Sequence, residues 1–247
     1  MPTTAGTGSE TTRTSIVTDA AGNKVWLWGD ALKADEVVLD PALTLGLPPE
    51  LTAATGIDAF VHAVEAATNR NAVDLSWPFC REAIELVARS LPGLLESPRD
   101  LALRGALQRA ACLAGIAIDN AGTAVAHMIG HALASLRPIH HGRAVALGML
   151  ATLPWNTAQG PDELWAKVAL AMGGPAEGAA VPRLFETFLR ASGLRVGLAE
   201  DGFAAVAPEQ LARQMARPEN DAMRRSNRRE VTDDDLLAFA RTVLTQA

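Results

Sequence analysis

Asp58 and His62 stand four residues apart in one apolar stretch, G-I-D-A-F-V-H, and His127 and His131 stand four apart in another, H-M-I-G-H. Residues four apart share a face of an α-helix. A carboxylate and imidazoles set into apolar helical stripes cost free energy unless something pairs them. His141 follows the second stretch after a turn that contains Pro138. Two helices and the start of a third can therefore aim one carboxylate and three imidazoles at one point. A first-row divalent metal pairs most of these groups at once, and Fe²⁺ or Zn²⁺ suits them best. Mn²⁺ and Co²⁺ accept the same ligands, while the lack of a nearby cysteine argues against a thiolate site. All five histidines are His62 and the group His127, His131, His140 and His141.

The rest of the chain agrees with a helical scaffold. Alanine and leucine are abundant, aromatics make up 4%, and tyrosine is absent. That balance favours helices. Pro48-Pro49-Glu50 opens a helix expected to run to about residue 68. Further helices are expected at 74–90, with Pro92 starting a short continuation, and at 100–120, 121–136 and 142–156. Shorter ones are expected at 162–172, 179–192, 208–216 and 233–244, the last capped by Thr232. Residues 1–40 differ. Thr3, Thr4, Gly6, Thr7, Gly8 and Ser9 make a small, polar loop, and residues 14–18, 25–28 and 37–39 read as short strands. A turn at 19–23 separates the first two strands. Asp40-Pro41 is a natural stop for the third. The reading is mainly α: residues 1–45 as a β remnant of an α/β domain, and residues 46–247 as an all-helical metal-binding domain.

A net charge of −6 gives no electrostatic footprint for nucleic acid, and the basic group Arg224, Arg225, Arg228 and Arg229 is interrupted. Cys80 and Cys112 form no C-x-x-C unit and read as reduced core thiols of a cytoplasmic protein. The first residues carry no basic or apolar signal-peptide regions, and no apolar run is expected to span a bilayer.

Spacing alone leaves several metalloenzyme chemistries open. Four motifs together resemble the iron-containing (group III) alcohol dehydrogenase family. P-T-T-A-G-T-G-S-E resembles its cofactor-contacting loop. D-P-A-L-T with G-I-D-A-F-V-H-A-V-E-A is similar to its first metal-ligand helix, N-A-G-T-A-V-A-H-M-I-G-H-A-L to its second, and P-I-H-H-G-R-A-V-A-L to its third. The resemblance implies the fold shared with dehydroquinate synthases, in which a helical metal domain follows an α/β nucleotide-binding domain. It implies that Asp58, His62, His127 and His141 bind the metal and that His131 helps move a proton. Thr3, Thr4, Gly6, Thr7 and Ser9 match the cofactor loop, and Lys24 resembles a lysine that contacts the cofactor ribose. His140 reads as a surface residue or a neighbour of the site. The implied reaction interconverts a small alcohol with an aldehyde or ketone, using NAD or NADP, in a homodimer with no nucleic-acid or membrane partner.

One departure from the family matters. Its G-G-G-S phosphate loop, followed by Asp and Lys, does not occur in this sequence. The expectation is a truncated form with impaired cofactor binding. Exposed apolar strand edge near 13–39 is expected to favour association. The competing readings are a non-redox enzyme in which the same site activates water, and a helical module that only holds metal.

Overall fold

The computed structural model describes residues 1–18, 20, 24–159 and 163–245. Most of the expected turn at 19–23 therefore lies outside the described residues, as does the start of the helix expected from 162.

The scaffold grows around one helix. α1, Pro49–Thr68, is buried at every position from Thr52 to Thr68. Its alanines, among them Ala53, Ala59, Ala63 and Ala66, are 2% exposed or less. Small side chains let three helices close on it from different sides: α2 (Trp77–Glu96), α3 (Leu101–Ala121) and α5 (His141–Thr157). α4, Val125–Leu136, lies against α5. α6 (Glu163–Ala171) and α7 (Val181–Ala191) cover the far side, where Phe60 of α1 stacks on Phe185 of α7 at 5.5 Å. α8 (Pro208–Met215), α9 (Asp221–Ser226) and α10 (Asp233–Leu244) close a second apolar cluster over α4 and α5 through Met128, Leu133, Leu147, Leu211 and Phe239. The cap of α10 is reciprocal: Asp235 N–H donates to Thr232 Oγ1, and Thr232 N–H donates to Asp235 Oδ2.

Two strands precede the helices. β1 (Thr14–Thr18) and β2 (Lys24–Trp28) form an antiparallel hairpin in which Thr14 pairs with Trp28 and Val17 with Val25. Asp119 of α3 holds it down, accepting from the Arg13 backbone N–H at 2.8 Å and pairing with Lys33 Nζ at 2.6 Å. Ile16, Val17, Leu27 and Trp28 remain exposed.

Three expectations need correction. Residues 37–39 are not a strand. No described strand offers that segment a partner ladder, and Gln108 of α3 pins it instead by donating to Asp40 O. Pro92 does not start a new helix but lies inside α2. An interior proline costs roughly 3 kcal/mol. Leu91 and Leu94, both fully buried, offset it at about 1.5–3 kcal/mol each. Finally, α3 is long and apolar enough by length and composition to cross a membrane. Here its buried residues pack against α1 and α2 within the fold. Cys80 is buried and Cys112 half-buried, both as free thiols, and burial pushes the Cys80 thiol up to about 12.

Candidate metal centre

Asp58 and His62 lie one turn apart on α1, and both are buried. His127 comes from the first turn of α4, and His141 is the first residue of α5. The turn into α4 begins at Gly122, whose φ of 78° is open to glycine at little cost. Asn69, just past α1, donates to Ala121 O and Gly122 O and fixes that turn. Gly142 lets α5 approach α1 so closely that a methyl group there would meet Ala54 O at 2.1 Å.

These elements converge on one oxygen. Asp58 Oδ1 lies 3.9 Å from His62 Nε2, 3.6 Å from His127 Nε2 and 3.7 Å from His141 Nε2. Asp58, His62 and His127 each offer a donor atom within 4.8 Å of the others. Donors held about 2.0–2.2 Å from a tetrahedral metal sit about 3.4 Å apart, so the spacing fits such an ion with small adjustments. The hydrogen-bond inventory points the same way. Asp58 Oδ1 and His127 Nε2, which face this point, are buried without a hydrogen-bond partner. Leaving such groups unpaired costs about 1–3 kcal/mol each. The donor set, one carboxylate and imidazoles, suits Fe²⁺ or Zn²⁺.

The centre opens into a cleft of about 1180 Å³. Its described lining includes His131, Thr7, Ser9, Trp26, Asn71 and Met223. His131 stacks on Trp26 at 5.1 Å and meets His141 edge-on at 5.3 Å. Thr3, Thr4 and Gly6 are not part of that lining. Gly6 packs on Thr55 of α1. Lys24 begins β2, and its side chain lies outside the described ones. His140 is exposed and precedes α5 as its N-terminal flank.

The model of the Fe-containing alcohol dehydrogenase family, C-terminal part, matches residues 52–244. The chain belongs to that family. It is 40% identical over 157 residues to a protein of Salmonella typhimurium named "Probable alcohol dehydrogenase EutG", covering 63% of this chain and 40% of that one. It is 30% identical over 252 residues to the NAD-dependent methanol dehydrogenase of Bacillus methanolicus, across 99% of this chain and 65% of that one. Among solved structures, sulfoacetaldehyde reductase from Bifidobacterium kashiwanohense, in complex with NAD⁺, superposes with a TM-score of 0.88 at 26% identity. That match covers 99% of this chain and 64% of the other. A 1,3-propanediol oxidoreductase superposes at 0.85 with 29% identity, over 98% of this chain and 64% of the other. The chain thus spans about two fifths to two thirds of the length of these family members.

Within this family framework the charges at the centre are unequal. Burial alone would raise the Asp58 carboxyl, but His62, His141 and His127 outweigh it and hold it far below its ordinary value. Burial lowers His62 to about 4, against the pull of Asp58. Burial would lower His127 too, yet Glu65 and Asp58 raise it to about 9. Glu65 is the residue that reasoning from the sequence missed. It is buried on α1 and accepts from the Ala124 and Ala126 backbone N–H groups at 2.8 and 2.7 Å. His127 Nδ1 lies 2.6 Å from its Oε2. A signal was present: Glu65 falls seven residues after Asp58, on the same helical face as Asp58 and His62.

Proposed function

We propose that this chain is the metal-binding part of an alcohol dehydrogenase that interconverts a small alcohol with its aldehyde or ketone, using NAD or NADP. The convergence of three Nε2 atoms on the partnerless Asp58 Oδ1 carries the reading. Asp58, His62, His127 and His141 would hold Fe²⁺ or Zn²⁺. The metal supplies a Lewis-acidic position that favours loss of the alcohol proton or polarises a carbonyl, and the nicotinamide supplies the hydride chemistry.

The protein's own residues do the rest. His131 lines the cleft beside His141, where an imidazole nitrogen can take the alcohol proton and return it. Trp26 stacks on that ring and fixes its plane. Thr7 and Ser9 face the same cleft and would meet the cofactor there; Lys24, at the start of β2, is proposed as a further cofactor contact on the family resemblance alone. Thr3, Thr4 and Gly6 would shape the backbone of that loop. Residues 1–45 would belong with the nucleotide-binding side and residues 46–247 with the metal side. The relatives named for alcohol and methanol dehydrogenases support the reaction class. A homodimer is proposed on the same ground, with the exposed apolar strands of the hairpin as added reason. The two free, partly or wholly buried thiols support a cytoplasmic setting.

Metal content tests the reading. The chain purified with Fe²⁺ or Zn²⁺ should carry one ion per molecule by elemental analysis, and Asp58→Asn should lose it. Equal metal content in both proteins would refute the proposed ligand set.

A further inference from the structure

We infer that Glu65 is the positioning residue for His127: it sets the ring's tautomer and plane so that Nε2 faces the metal site. The inference rests on the proposed ligand set of Asp58, His62, His127 and His141.

Geometry carries it. An ionised carboxylate only accepts hydrogen bonds. At 2.6 Å from Glu65 Oε2, Nδ1 of His127 must therefore be the protonated nitrogen. With Nδ1 held as a donor, Nε2 is the nitrogen left to give up its proton and offer a lone pair to a metal. Nε2 is also the nitrogen that is buried without a hydrogen bond, 3.6 Å from Asp58 Oδ1. A flipped ring would trade that N–H for a C–H against the carboxylate, and the other tautomer would set a lone pair against it.

Glu65 is itself held from two sides. Oε1 accepts from Ala126 N–H at 2.7 Å, and Oε2 accepts from Ala124 N–H at 2.8 Å. Those donors belong to the start of α4, whose own N-terminal flank, Ala124, has no side chain able to cap it. The carboxylate of one helix thus caps the next helix and aims that helix's ligand in a single contact. A negative charge at a helix N-terminus is favourable in its own right. With its side chain 4% exposed, Glu65 has no room for water to take over either task. Because it lies on the same helix as Asp58 and His62, a shift of α1 carries three of these groups together.

Glutamine at this position keeps one acceptor but turns an amide N–H₂ toward a backbone N–H or toward His127. The experiment compares wild type with Glu65→Gln by Zn²⁺ competition against a chromophoric chelator. Far-UV circular dichroism of both proteins without metal checks the fold. E65Q should keep the wild-type spectrum and bind Zn²⁺ about 10–100-fold more weakly, the usual effect of losing a ligand's hydrogen-bond partner. Wild-type affinity in folded E65Q would overturn the inference. A second measurement needs no variant. In Zn²⁺-loaded wild type, ¹⁵N–¹H spectra of the histidine rings should show His127 with metal on Nε2 and a slowly exchanging proton on Nδ1. A fast-exchanging or absent Nδ1 proton would overturn the inference even if E65Q fails to fold. A wild-type protein that binds no Zn²⁺ would instead overturn the ligand set itself, so the two failures are distinguishable.

Discussion

Replacing Gly142 by alanine tests the close approach that brings His141 to Asp58. The new methyl would lie 2.1 Å from Ala54 O and 3.2 Å from Asp58 Cβ, whereas ordinary contact begins at 3.4 Å. Ala54 O is backbone in a buried helix, so no rotamer change relieves the clash. α5 must retreat from α1 by roughly 1 Å or more. Overpacking of this kind costs about 1–3 kcal/mol, against at most about 1 kcal/mol gained in helix propensity. The net expectation for metal-free G142A is a loss of up to about 2 kcal/mol in urea unfolding. The same retreat lengthens the 3.7 Å separation of His141 Nε2 from Asp58 Oδ1. Zn²⁺ affinity should fall at least about tenfold, equal to about 1.4 kcal/mol. Propensity alone predicts the opposite sign for stability and no effect on metal. A G142A protein with a raised unfolding midpoint and wild-type Zn²⁺ affinity would refute the reasoning.

His141→Asn should weaken Zn²⁺ binding at least about tenfold while His131→Asn leaves it within about threefold, since donor atoms other than those of His131 converge on Asp58; the reverse pattern would exchange their roles. Asp201, which accepts from Arg143 Nη1 at 2.8 Å, has a carboxyl lowered by Arg143 and Arg195 against the effect of its burial. Its stabilisation is therefore complete above the unfolded value near pH 4 and is lost as pH falls through the lower folded value. Asp201→Asn should cost about 2–3 kcal/mol at pH 7 and flatten the acid limb of the stability profile, and an unchanged limb would count against the pair.

The helices and the two strands of the hairpin were legible because both follow from local pattern. Apolar spacing, Asp100 at the start of α3 and Thr232 at the start of α10 are all properties of neighbouring residues. Placing Asp58 and His62 on one face needed only the helical repeat. Residues 37–39 failed because a strand exists only with a partner, and Pro92 failed because Leu91 and Leu94 bury against other helices. α9 went unforeseen, being a helix of one and a half turns whose Met223 joins the second apolar cluster and whose Ser226 donates to Thr123 O.

By itself, then, the sequence singled out the candidate ligands and determined which of them share a helix face, since spacing along a helix is geometry of the chain alone. Only tertiary structure decided that three faces meet. Whether His127 and His141 reach Asp58 depends on how near α4 and α5 lie to α1, and that distance is set by Gly142, by the alanines of α1 and by Asn69 at the turn. The part played by Glu65 was decided there too. Its partners, Ala124, Ala126 and His127, lie some sixty residues away, and no local pattern couples a carboxylate to the start of a helix that far along the chain.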